Sequence, residues 1–260
     1  MILRRVIAHF RKQEWTAIAI DFVIVVMGVF IGTNVTNWNE ARKSTERAAA
    51  YSERLLGDLR AEYEYALALR QYDVDVLSAG EAAYDGLAGR RDLDDRAILI
   101  GAFRATQFNW YERRRAAFDE LMATSSLDLI TDPKLREVAI VIYNTPLFAA
   151  MQSAGQNDTY RDLMSETLEP SVRQALRDNC GDRLYGAKNG AVGLLEIGYA
   201  CDLPLSDAEV KAAVDDLRAN EPLHRAMKAK LARVSGWIYD IDLTLKAAGI
   251  APLFADEDAK

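Results

Sequence analysis

The side chains that could do chemistry are few and widely spread. Histidine occurs only at His9 and His224. No two histidines stand at a metal-ligand spacing, and a Ser-His-Asp or Cys-His site would rest on His224 alone, which has no surrounding motif. Cysteine also occurs twice, at Cys180 and Cys201. They are too far apart for a zinc knuckle, and in an oxidising compartment their natural chemistry is a disulfide. Closing a loop of about 20 residues would stabilise the fold by roughly 3 kcal/mol. Between them, GAKNGAVG (residues 186–193) has the glycines of a phosphate loop. It lacks Gly-Lys followed by Ser or Thr, so a surface hairpin is the expectation. Asp215 with Asp216 and Asp240 with Asp242 lie one or two positions apart, where helical side chains do not face each other. Arg113, Arg114 and Arg115, with Arg104 and Trp110 near in sequence, could take an anionic ligand or lipid headgroup. The competing expectation is a solvated stripe paired with Glu112 and Asp119. These residues predict no metal, no cofactor and no enzyme.

One ionisable residue stands apart. Residues 16–36 are apolar or uncharged except for Asp21. The helix from Trp15 to Trp38 would span roughly 34 Å, slightly more than a hydrocarbon core of about 30 Å. Trp15 and Trp38 suit the two headgroup belts. The run is long for a signal peptide and no small-x-small cleavage site follows it, so an uncleaved signal anchor is expected. Asp21, Val25, Gly28 and Gly32 share one helical face, a small-xxx-small seam with a carboxylate at its start. A mid-membrane charge costs about 2.5–3.5 kcal/mol. Asp21 either snorkels to the headgroups or meets a donor on a partner helix. Arg4, Arg5, Arg11 and Lys12 precede the span, against Arg42, Lys43 and Arg47 after it. That bias places the N-terminus in the cytoplasm.

The remaining chain must be organised by helices. Apolar residues recur at three- and four-residue steps from Ala48 through Leu55, Leu59 and Leu69 to Leu77, which predicts a long helix continuing the membrane segment. Gly80, Gly86 and Gly89 suggest a loosened stretch after it. Asp94 or Asp95 can cap a helix through Leu99 and Phe103. Thr131 or Asp132 before Pro133 marks another start, and Pro146 a break or kink. One helical pattern then reaches Leu168, and Pro170 opens the next. Asn189-Gly190 signals a hairpin turn. Ser206 and Glu209 form a capping box. A last helix runs from Pro222 through Met227, Val234 and Trp237 to Gly249.

Charge narrows the partners. Four of the 32 basic and three of the 39 acidic residues lie in the first 40 positions, which leaves 28 basic against 36 acidic. Such an acidic domain argues against nucleic acid and against lying flat on anionic lipid.

The run DFVIVVMGVFIG followed by TNVTNWNEAR resembles the N-terminus of an uncharacterised bacterial family of single-span, membrane-anchored helical proteins. That family shows Glu where Asp21 stands and Asn-Asn-Trp-Asn-Glu at residues 36–40, where Thr36 here replaces the first Asn. Residues 116–144, AAFDELMATSSLDLITDPKLREVAIVIYN, are similar to its mid-domain segment. The match covers about a third of the chain and implies topology and architecture, with no activity attached.

The expectation is a mainly α protein of the bacterial inner membrane. Residues 1–14 form a cytoplasmic basic lead-in and residues 15–38 a transmembrane helix. Residues 39–260 form a periplasmic helical bundle with a cystine-bounded insertion at 180–201. The leading function is a non-enzymatic accessory subunit that docks through its membrane helix on another membrane protein or on itself. The alternative is a periplasmic ligand-sensing bundle that signals through a partner.

Overall fold

A computed structural model describes the backbone of residues 15–185 and 194–254, and the side chains of these except 15–19, 21, 185 and 194. The molecule is mainly helical. Helix α1 (Trp15–Leu87) is followed by α2 (Asp95–Arg104), α3 (Ala116–Ala123), α4 (Pro133–Asn144), α5 (Leu147–Gln156), α6 (Thr159–Thr167) and α7 (Pro170–Cys180). A two-stranded ladder, β1 (Arg183–Tyr185) and β2 (Leu194–Glu196), precedes α8 (Asp207–Ala219) and α9 (Glu221–Ala248). The described residues fall into two compact units. One runs up to Arg54 and includes Asp128–Thr131; the other comprises Leu55–Leu127 and the residues from Asp132 on.

In the first unit, α1 is long and apolar enough to cross a membrane, judged by length and composition. Its apolar side chains face outward. Phe22 is 68% exposed, Phe30 63% and Trp38 72%.

The second unit is built on helix starts written into the sequence. Asp94 accepts from the Ala97 amide, and Asp132 accepts from Lys134 and Leu135 with Pro133 in the first turn. Ser206 and Glu209 close the capping box reciprocally, and Gly249 ends α9 in the left-handed region at φ 62°. The pattern expected to run unbroken to Leu168 is instead two helices, because Asp158 caps α6 through the Tyr160 amide. The hairpin ladder pairs Arg183 with Glu196 antiparallel; the Asn189-Gly190 turn lies outside the described residues.

Gly80 and Gly86 do not loosen the chain. Both lie inside α1, and their missing side chains let other helices press against it. A Cβ on Gly80 would stand 2.4 Å from Leu231 Cδ2 and 2.9 Å from Ala105 Cβ. On Gly86 it would stand 2.8 Å from Ile98 Cγ1. The chain turns only at Gly89, where φ is 65°. Two of the apolar clusters among the described residues take shape around this packing. One gathers Leu99, Phe103, Tyr160, Leu176, Val214 and Met227. The other gathers Leu69, Tyr72, Val76, Phe148, Val234 and Trp237. Helix α9 contributes to both, so its stripe is the spine of the unit.

Candidate functional site

The sequence singled out one face of α1. Val25, Gly28 and Gly32 are exposed on it. A Cβ added to Gly28 or Gly32 would meet no atom within 4 Å, so no described part of this chain requires either glycine. The polar residues at the end of the run are satisfied within the helix. Thr33 Oγ1 and Asn34 Nδ2 donate to the Phe30 carbonyl at 2.9 and 2.8 Å, and Thr36 Oγ1 donates to the Gly32 carbonyl at 3.0 Å. That is how hydroxyls and amides are accommodated where water is scarce. The side chains of Trp15 and Asp21 lie outside the described residues.

Cys180 and Cys201 are joined, with Cα atoms 5.2 Å apart. Arg104 holds this region from α2: its Nη2 donates to the Tyr199 carbonyl at 2.6 Å and its Nε to the Cys180 carbonyl at 3.4 Å. The Tyr199 hydroxyl in turn donates to the Gly181 carbonyl at 2.6 Å. Burial draws the Arg104 guanidinium below its ordinary value.

Arg113 is consumed by structure. Glu62, 3% exposed, accepts from Arg113 Nε and from the Arg114 amide, both at 2.7 Å, and from the Tyr111 hydroxyl at 3.2 Å. Arg113 also donates to the Ile142 carbonyl at 3.0 Å and stacks 4.8 Å from the Phe148 ring. Arg115 pairs with Asp119 at 2.8 Å. Arg114 is exposed, and its side chain makes no bond with a described residue. The three arginines offered as an anion contact therefore serve separate purposes: Arg104 braces the cystine, Arg113 neutralises Glu62, and Arg114 faces solvent. His224 directs Nε2 at the Leu217 carbonyl, 2.9 Å away, where it closes the α8–α9 junction.

Sequence reasoning missed a buried ionic group at the centre of the unit. Lys230 Nζ lies 2.6 Å from Asp158 Oδ2, with the two side chains 1% and 3% exposed. Asp158 thus caps α6 with one oxygen and holds a cation with the other. Near them Asp73 is buried, and its Oδ2 has no partner. Burial pushes the Asp73 carboxyl up to about 7 against the opposing pull of Lys230. Burial also draws the Lys230 ammonium down, more strongly than Asp158 raises it. The Tyr72 hydroxyl donates to Asp182 at 2.6 Å, and both groups are shifted up by burial. The signal was available: Lys230 stands three after Met227 and four before Val234, inside the apolar stripe of α9. Asp73 stands likewise four after Leu69. Lys230, Asp158 and Asp73 are sealed from solvent and fix the packing around them. Among the described residues, no three His, Cys, Asp or Glu side chains converge as a metal set.

No family model, curated protein or solved structure matches this chain.

Proposed function

We propose that this protein is a single-span membrane protein of the bacterial inner membrane, with its helical domain outside the cytoplasm. The observation that carries the reading is the outward-facing apolar surface of α1. Nine side chains, Phe22 to Val26, Met27 and Val29 to Ile31, stand about half exposed or more. Covering one such side chain fully stabilises by about 1.5–3 kcal/mol. Nine amount to roughly 10 kcal/mol or more, the order of a whole domain's stability. A bilayer supplies that cover, and the gain exceeds the few kcal/mol that Asp21 would cost. The Cys180–Cys201 bond and the N-terminal Arg4, Arg5, Arg11 and Lys12 support an outside domain.

On this reading the protein is a non-enzymatic accessory subunit, docking through Gly28 and Gly32 on another membrane helix or a second copy of itself. The glycines that no described part of the chain requires are what such a contact needs. Alkaline carbonate washing of membranes should leave the chain in the pellet; release into the supernatant would end the reading. Gly28→Leu with Gly32→Leu should then abolish crosslinking to neighbours in native membranes, and unchanged crosslinking would remove the docking claim. A second reading, a ligand-sensing domain that signals through a partner, is favoured by a separate observation: a cavity in the helical domain lined by three arginines.

A further inference from the structure

A cavity of about 230 Å³ opens between the end of α2, helix α6 and helix α7. Its walls include the apolar Phe103, Met164 and Leu168 and the cationic Arg161, Arg173 and Arg177. No carboxylate lines it among the described residues. The region beyond residue 40 is acidic overall, which makes three cations around one hollow a departure that needs a cause.

The arginines of the site differ from the domain's ion-paired arginines, and share with Arg104 the lack of a described carboxylate partner. Arg70 meets Asp242, Arg96 meets Asp207, Arg113 meets Glu62, Arg115 meets Asp119 and Arg218 meets Asp95. Arg161 instead spends its hydrogen bonds on neutral carbonyls. Its Nε and Nη2 donate to Thr106 O at 3.0 and 2.8 Å, and its Nη1 to Gly155 O at 3.0 Å. The Phe108 ring, 4.5 Å away, holds the guanidinium flat. Asp182 feels Arg161 only through space, its own bond being to Tyr72. The side chains of Arg173 and Arg177 make no hydrogen bond or ion pair with any described residue, and Arg173 Nε is buried without a partner. They stand four apart on α7, where like charges oppose each other. A fold selected for stability alone would have supplied a carboxylate or changed the charge.

We propose that this cavity binds a small organic oxyanion, a carboxylate or a phosphate ester. The anionic group is taken by Arg173 and Arg177 with Arg161 fixed behind them, and a short apolar portion lies on Phe103, Met164 and Leu168. Guanidinium forks match both oxyanions in geometry. The volume admits a molecule of a few heavy atoms and excludes drug-sized ligands. The site belongs to the helical domain and stands whether or not α1 crosses a membrane; it gives the sensing reading its ligand class.

The test is calorimetric titration of the full chain in non-ionic detergent with inorganic phosphate, succinate and glycerol phosphate at low salt. At least one probe is expected to bind saturably. Arg173→Gln and Arg177→Gln should each weaken it about tenfold, and the double variant should abolish it. Binding weaker than about 10 mM for all three probes overturns the proposal, as does binding that the double variant retains. A fall in the Tm of the double variant also overturns it, because the arginines would then be holding the fold. Competition by short-chain phosphatidylglycerol, against glycerol phosphate, distinguishes a lipid headgroup from a free solute. Displacement by either supports the oxyanion site and names its source.

Discussion

Two arginine clusters in the helical domain follow opposite rules. At the first, Arg113 lies half-buried against a carboxylate that is itself buried, and every polar atom of Glu62 is used. At the second, Arg173 and Arg177 face a hollow with no described carboxylate in reach. The first arrangement closes on itself, leaving no unspent charge for a ligand. The second leaves charge available. Hydrogen-bond completeness, more than the number of cations, separates an arginine that holds a fold from one that waits on a solute.

The largest effect should come from breaking the closed cluster. Arg113→Ala strands Glu62 in the interior, and loss of one partner of a buried pair costs about 3–5 kcal/mol. Denaturant unfolding should show a lower midpoint with little change in slope. Pairing Glu62→Gln with Arg113→Met should recover much of the loss, which separates the stranded charge from lost packing.

Asp73 sharpens the comparison with the opposite sign. Its carboxyl is raised from 3.8 to about 7 by burial. The folded state therefore holds the proton more tightly than the unfolded state. Stability falls as pH rises from about 4 to about 7, and the penalty is complete above that. At about 1.4 kcal/mol per unit, Asp73→Asn should stabilise the protein at pH 8 by up to about 4 kcal/mol and do little at pH 4. An equal gain at both pH values would show that Asp73 is not the titrating group. Replacing Cys180 and Cys201 together by Ser ranks next. It should lower stability by roughly 3 kcal/mol, read from the same unfolding curves.

What the sequence made legible was whatever is decided locally. The caps at Asp94, Asp132 and Ser206 and the left-handed stop at Gly249 are short-range agreements between a side chain and its own backbone, and they stand as expected. The disulfide was legible because there are only two cysteines to join. Gly80 and Gly86 were misread because a helical glycine is disfavoured locally and useful only when Leu231, Ala105 or Ile98 arrives from elsewhere. The arginine cavity was invisible for the same reason. Arg161, Arg173 and Arg177 become neighbours only once α6 and α7 pack beside the end of α2. Arg113, conspicuous in its run of three, gave no hint that Glu62, 51 positions away, would consume it.

The smallest effect belongs to the open cluster, and its smallness is what the comparison turns on. Without an anion, Arg173 and Arg177 contribute only mutual repulsion across one helical turn, about 0.2–0.5 kcal/mol. Replacing both by Gln should therefore leave the unfolding free energy within about 0.5 kcal/mol of the parent, or raise it. Salt provides the check. At 1 M ionic strength charges are screened beyond roughly 3 Å, so any advantage of the variant should vanish there. The Arg113→Ala loss, arising from a buried carboxylate that salt does not reach, should persist. If both differences respond to salt alike, the two clusters obey the same electrostatics and the distinction between them fails.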